Sequence, residues 1–322
     1  MSPQRQRDQC LCAVDPHNVT EVVEFLLLGL SDDPRVQPVL FSLFLSMYLV
    51  IVTGNLLIVL AISSDSRLHT PMYFFLSVLS TADIGFTSTT VPKVIWDIHT
   101  QSRNMSHAGC LVQLSLYVLF GCLECVILGV MAYDRFVAIC HPLHYPIIMN
   151  PGLCGRLLLG SICISLLDSQ LYCLMMSQLI FCSQVEIPQF FCDPPQLLSL
   201  ACGDIFTSNL LIYFTVAIVG SIPVSGIFYS YTKIISSVLR ISSSGARSKA
   251  FSTCGSHLSV VCLFYGTAMG VYLSSAVSHS PRKGAVASMM YSMVVPMLNP
   301  FIYSLRNQDI KRAFQKFLSR TV

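Results

Sequence analysis

The stretch Met131-Ala-Tyr-Asp-Arg-Phe-Val-Ala-Ile-Cys140, continued by His141-Pro-Leu-His-Tyr145, decides how this chain is read. A long apolar run ends there in an adjacent Asp-Arg pair, and a proline-containing turn follows at once. Charges such as Asp134 and Arg135 are costly in hydrocarbon, so a membrane reading puts them at the boundary or inside a helix bundle. A solvated charge pair at a helix end is the plainer alternative. The choice turns on the rest of the chain.

Composition favours the membrane. Apolar residues make up 53% of 322 and charged residues 11%, about half the charge of an ordinary soluble domain. The apolar residues fall into seven blocks, 38–62, 71–95, 108–140, 153–180, 204–238, 250–276 and 285–305. Each has roughly the 20 residues that a bilayer requires. The third and fifth exceed that length, which predicts tilt or projection beyond the bilayer. The fourth is weakened by Asp168 and Gln170. Backbone amides find no water in lipid, so every block is expected to be helical, internal glycines and prolines notwithstanding. The fold class is therefore an all-α membrane bundle of seven helices.

Basic residues orient it. Twelve of the 19 Lys and Arg residues follow the first, third and fifth spans or lie in the tail, from Arg67 and Arg135 to Lys316 and Arg320. The excess of basic residues belongs in the cytosol. The chain then divides into an extracellular segment 1–37, a membrane domain 38–305 and a cytoplasmic tail 306–322. No cleavable signal peptide is visible, and the first span serves as the anchor. The net charge of +3 reads as topology and gives no reason to expect nucleic acid.

The outer cysteines fit an oxidising compartment. Cys110 opens the third span, and Cys182, Cys192 and Cys202 follow the fourth. Two bridges are expected among them, and sequence alone allows three pairings. Cys10 and Cys12 stand outside that set, while Cys122, Cys125, Cys163 and Cys262 read as small apolar packers. Asn18-Val-Thr20 is an outer glycosylation sequon expected to be used. Asn104-Met-Ser106, close to the membrane, is expected to stay unmodified.

Six strings occur in order. Gly54-Asn55 lies in the first span, and Leu68-His-Thr-Pro-Met-Tyr-Phe-Phe-Leu76 enters the second. The Asp-Arg string ends the third, and Ser230-Tyr231 lies low in the fifth. Lys249-Ala-Phe-Ser-Thr-Cys-Gly-Ser-His-Leu258 opens the sixth, and Pro296-Met-Leu-Asn-Pro-Phe-Ile-Tyr303 closes the seventh. Together they resemble the olfactory receptors, a branch of the rhodopsin-like G-protein-coupled receptors, over residues 18 to 316. The threonine in the second-span string resembles the tetrapod-type class. The fourth span lacks a tryptophan, and Phe264-Tyr265-Gly266 stands where most rhodopsin-like receptors carry a tryptophan-proline switch; both departures are habitual in the olfactory branch. Phe136 replaces the usual tyrosine of Asp-Arg-Tyr.

The resemblance implies an odorant receptor at the plasma membrane, with a small-molecule odorant, a heterotrimeric G protein of the stimulatory type, a rise in cAMP and membrane lipid as its context. It implies the disulfides Cys110–Cys192 and Cys182–Cys202. It implies a ligand site in the outer half of the bundle at Tyr117, Val118, Gly121, Cys122, Thr215, Val219, Tyr265, Ala268, Tyr272 and Ser292. Tyr117 stands where amine receptors carry an aspartate, and the outer halves of spans three, five and six carry no Arg or Lys. A small, neutral, mostly apolar ligand is left, hydrogen-bonded by Tyr272 or Thr215. Ten to fifteen heavy atoms at about 0.3–1 kcal/mol each give micromolar-range affinity.

The switch implied by the resemblance is Arg135. Asp134 holds it at rest, and on activation it turns to Tyr231 and Tyr303, with Pro300 permitting a local bend. Lys249 and His257 help shape the same face, or His257 is simply a satisfied bundle histidine. In the spans, Asn55, Asp83, Glu124 and Asn299 are either interhelical hydrogen-bond glue or a functional cluster. Two adjacent carboxylates resist joint ionisation, and a cation or one shared proton relieves them. The resemblance favours an allosteric sodium ion at Asp83, Glu124 and Asn299; no other cofactor is expected.

The tail 307–322 spaces Ile310, Phe314, Phe317 and Leu318 on one helical face among Lys311, Arg312, Lys316 and Arg320, the pattern of a helix lying on headgroups. It has no cysteine for palmitoylation. No nucleophile elbow or phosphate loop supports an enzyme. A receptor for a lipid or peptide is the alternative; a transporter is disfavoured by the lack of repeat symmetry, and a purely structural protein would not need an Asp-Arg latch.

Overall fold

A computed structural model of the chain describes residues 24–30, 33–181, 184–202, 206–240, 243–277, 285–286, 288–306, 309–313 and 315. Asn18, Cys182 and the side chains of Lys249 and Tyr272 lie outside the described residues. Six long helices are α1 (Gln37–Ser64), α2 (Pro71–Thr100), α3 (His107–Cys140), α5 (Pro151–Ser177), α7 (Phe206–Leu239) and α8 (Ser244–Val277). The seventh is a π-helical turn Met290–Val294 that runs into α9 (Val295–Arg306). These correspond to the seven expected spans, though α2 runs past its block to Thr100, α5 ends at Ser177 short of 180, and α8 starts at Ser244, ahead of 250. Short helices α4 (Tyr145–Ile148) and α6 (Pro194–Leu200) lie in the loops.

Helix starts follow the sequence. Pro71 and Pro151 sit in the first turns of α2 and α5, where the missing N–H costs nothing. Asn150 caps α5 by accepting from Leu153 N at 2.9 Å, and Ser106 caps α3 by accepting from Gly109 N at 3.1 Å.

Prolines inside the helices explain two packing contacts. Pro300 has no N–H for the carbonyl four residues back. That carbonyl, on Pro296, accepts instead from Asn55 Nδ2 at 3.2 Å. Gly54 makes the approach possible: a Cβ there would stand 3.1 Å from the Pro300 ring. The Gly54-Asn55 pair is therefore the complement of the Pro296–Pro300 string. The same device recurs at Pro223 in α7. Its freed partner, the Val219 carbonyl, lies 3.6 Å from the Cys125 thiol, and a Cβ on Gly129 would come within 3.2 Å of Pro223. Small residues let neighbouring backbones repair breaks that lipid cannot.

The outer end carries a feature that the apolar pattern did not announce. β1 (Glu24–Leu27) pairs antiparallel with β2 (Asn104–Ser106) and parallel with β3 (Gln184–Ile187), in the order β2-β1-β3. Phe25 and Leu27 alternate inward and are buried with Met105, Val185 and Ile187. Strands this short are invisible to a search for 20-residue blocks, and their pairing partners lie far away in sequence: Glu24 pairs with Ser106 and with Gln184. Cys110 and Cys192 are joined across 82 residues beneath the sheet. Cys202 is also disulfide-bonded, with its expected partner Cys182 outside the described residues.

Candidate functional site: an outer aromatic chain and an inner polar latch

Rings build the outer region. The loop residues Phe190 and Phe191 pack with tilted rings at 5.0 Å, and Phe191 lies 5.0 Å from Tyr117 on α3. Tyr117 contacts Phe86 on α2 at 4.8 Å, and Phe86 contacts Tyr291 in the π turn at 5.4 Å. Tyr291 meets Phe264 at 5.5 Å, which packs edge-on against Tyr265 at 5.2 Å. A continuous chain of rings thus runs from the outer loop to α8. Gly121 faces its middle; a Cβ there would lie 3.4 Å from both Phe86 and the Tyr291 hydroxyl. Tyr265 Oη sits 3.0 Å from Cys125 Sγ and 3.3 Å from the Cys125 carbonyl.

The other expected ligand residues divide around this chain. Thr215 Oγ1 lies 3.2 Å from the Tyr172 hydroxyl. Cys122 is buried and Val118 packs on the outer cluster. Ser292 is buried with its hydroxyl donating to the Ser288 carbonyl at 2.7 Å, and Ala268 is half-buried on α8. Phe86, Tyr172, Phe191 and Tyr291 were not singled out from sequence, because an aromatic residue inside an apolar block carries no local mark of what it will touch. Asp168 was read only as an interruption. It lies on the inward Ser165, Ser169, Tyr172 face of α5. The absence of an acid at Tyr117 therefore does not make the whole outer region free of acids.

Midway down, Asp83, Glu124, Asn299 and Asn55 are all buried. Asn299 Nδ2 donates to both Asp83 oxygens, at 3.1 and 2.9 Å, and Glu124 faces the same carboxylate. Three buried acceptors here have no hydrogen-bond partner: Glu124 Oε1, Asn299 Oδ1 and Asn55 Oδ1.

At the inner end Asp134 is fully buried and holds Arg135. Arg135 Nε donates to Asp134 Oδ2 at 3.0 Å, and the Tyr145 hydroxyl of α4 donates to Asp134 Oδ1 at 2.9 Å. Burial first, then the charge of Asp134, push the Tyr145 phenol above its usual pKa, so it remains a donor. Tyr231 is engaged elsewhere. Its hydroxyl lies 2.6 Å from His257 Nδ1, and His257 Nε2 lies 3.2 Å from the Leu128 carbonyl. A carbonyl only accepts, so Nε2 carries the proton and Nδ1 accepts from Tyr231. His257 thereby ties α8 to α7 and α3 at once. Tyr303 is buried with its hydroxyl unpartnered. Arg135 is thus closed on Asp134, while the Tyr231 hydroxyl is engaged by His257 and the Tyr303 hydroxyl is unpartnered.

The family profile described as olfactory receptor matches residues 44–321. The chain belongs to the olfactory receptor family. Mouse olfactory receptor 7E178 is 64% identical over 97% of this chain and 95% of its own. Human olfactory receptor 7E24 is 64% identical over 98% and 93%, and human olfactory receptor 7C1 62% identical over 94% and 95%. Among solved structures, squid rhodopsin covers 91% of both chains with a TM-score of 0.68 at 15% identity, a likeness of fold. This olfactory receptor is therefore a multi-pass membrane protein of a receptor family, not an enzyme, as its sequence strings implied.

Proposed function

We propose that this olfactory receptor binds a small, neutral, mostly apolar volatile molecule among the outer rings and in response activates a stimulatory heterotrimeric G protein, raising cAMP. Its N-terminus is outside the plasma membrane and its tail in the cytosol. The observation that carries the reading is the closed inner latch, in which Arg135 is held by Asp134 while Tyr231 is held by His257. Each contact is a hydrogen bond that a helix shift can exchange for another, as a two-state switch requires. The ring chain offers a ligand a path of packed contacts toward α8 and the π turn.

The unpartnered oxygens around Asp83 support a sodium ion between Asp83, Glu124 and Asn299. All three orphaned atoms are acceptors, the donor set of a hard cation, and a buried acceptor left alone costs about 1–3 kcal/mol. The ion would neutralise the paired carboxyls and hold the resting state.

The experiment is odorant-evoked cAMP in transfected cells. Arg135→Ala is expected to abolish the response with surface expression intact. A receptor that reaches the surface, ignores every volatile compound and answers a peptide would replace the odorant reading.

A further inference from the structure

A carboxyl group stands in the outer half of the bundle without a basic partner. Asp168 is half-buried on α5, next to Ser169 and one turn below Tyr172, both of which are buried. The bases on α3, α5 and α7 are His107, Arg135, Arg156 and Lys233, all toward the helix ends. Among the described residues the side chain that hydrogen-bonds with Asp168 is the Cys122 thiol of α3. A thiol is a weak donor, whereas a carboxylate offers about four lone-pair sites. An acid that hydrocarbon penalises, and that the protein itself leaves short of donors, marks a functional site.

The neighbours of Asp168 indicate what completes it. Tyr117 and Gly121, one turn apart on α3, meet the ring chain. Cys122 follows Gly121, about 100° further round the helix, and is turned to α5 and Asp168. A ligand lying across α3 therefore has rings on one side and a carboxyl on the other. One turn further out, the Tyr172 hydroxyl lies 3.2 Å from Thr215 Oγ1 on α7. Those two hydroxyls satisfy each other, and the carboxyl has no such partner.

We propose that Asp168 selects the ligand by its functional group: it accepts a hydrogen bond from a hydroxyl, so the odorant is an alcohol or a phenol. An alcohol brings the one strong donor that the carboxyl lacks and leaves its carbon skeleton to the rings. An ether, ketone or ester of the same shape brings only acceptors and sets one lone pair against another. An ammonium carries three donors and a strong hydration shell, and beyond Asp168 this wall offers it hydroxyls already engaged with each other. The chemical class rests on the odorant reading above and narrows it; the hydrogen bond to Asp168 does not depend on signalling.

Matched sets of volatile compounds supply the test, each an aliphatic, terpene or aromatic alcohol with its methyl ether, its amine, and an ester and a ketone of similar size. Full-length receptor is read in two ways: evoked cAMP in transfected cells, and thermal unfolding in nanodiscs with the same compound added. In at least one set the alcohol should act at a concentration about tenfold or more below its ether, the discrimination that a hydrogen bond to a charged group supports. Asp168→Leu should remove that preference by weakening the alcohol while sparing the ether. Asp168→Asn, whose amide oxygen still accepts, should keep part of it. Surface staining and the ether response report an intact bundle; if Asp168→Leu loses both, the comparison passes to Asp168→Asn, which should weaken the alcohol and spare the ether. Equal action of alcohol and ether in every set, an amine that outperforms its alcohol, or an unchanged preference in the Asp168 variants overturns the proposal. A response confined to esters and ketones overturns the hydroxyl class and leaves the odorant reading intact. Selective stabilisation by an alcohol through Asp168, with no cAMP from any compound, leaves the site standing and sinks the signalling reading instead. Neither stabilisation nor response with any compound overturns both.

Discussion

At the outer end the chain is held by a disulfide, a three-stranded sheet and packed rings, while at the inner end it is held by a few hydrogen bonds among Asp134, Arg135, Tyr145, Tyr231 and His257. The first kind of contact has no equivalent alternative partner; a broken Cys110–Cys192 bond or an unpaired β1 has nowhere else to go. The second kind is, on the proposed reading, exchangeable, since a helix shift can trade one hydrogen bond for another. Rigidity at one end and bistability at the other is what a molecule needs to turn a ligand contact into a change of surface.

Breaking the outer end should therefore cost stability, and breaking the inner end should change signalling. The largest effect is expected from Cys192→Ser, which removes the bridge closing 82 residues of chain at a cost of about 2–5 kcal/mol. Surface staining and thermal unfolding in detergent should both fall sharply. Tyr145→Phe removes a hydrogen bond to a buried carboxylate, worth about 1.5–3 kcal/mol. Its expected result is raised basal cAMP with surface expression near normal; reduced surface expression without a basal rise would place Tyr145 with the rigid contacts instead. Gly54→Ala sharpens the comparison at mid-bundle. Its Cβ would press on the Pro300 ring at 3.1 Å, costing about 1–3 kcal/mol of overpacking, read as a lower unfolding temperature.

The smallest effect is a pH dependence of the outer loop. Asp193, at the start of α6, is buried, and burial pushes its carboxyl up from 3.8 to about 7. The folded loop thus prefers the protonated acid. Its contribution to stability is full below 3.8 and is lost as pH rises through about 7. Hydrogen exchange of the loop, corrected for intrinsic rates, should show greater protection in acid than at mildly alkaline pH. Asp193→Asn should flatten that difference, while the inner latch shows none from this source.

The spans were legible because lipid imposes a simple rule: each needs a long apolar block, and every such block becomes a helix. The inner latch was legible because charge in such a block is rare, so Asp134 and Arg135 stood out. Asp83, Glu124 and Asn299 were legible for the same reason, and the structure brings Asn299 onto Asp83. The outer region was hardly legible. Phe191 and Tyr291 are ordinary aromatic residues in apolar sequence, and β1 is four residues long. His257 was undecided from sequence between glue and switch; only its two ring contacts reveal that it occupies Tyr231. Tyr145 belonged to the opening string without an assigned role until α4 placed it over Asp134.

Sequence by itself determined the solvent and the number of spans, because these follow from local composition and from residues that hydrocarbon penalises, and its six ordered strings carried the resemblance to the family. Tertiary structure alone decided which residues meet: Asn55 serving the carbonyl freed by Pro300, Cys125 serving the one freed by Pro223, the strand from the N-terminal segment entering a sheet with two distant loops, and Tyr145 closing on Asp134. Such pairings depend on how helices are rotated and spaced against one another, and in an almost uniformly apolar chain no local pattern fixes that rotation.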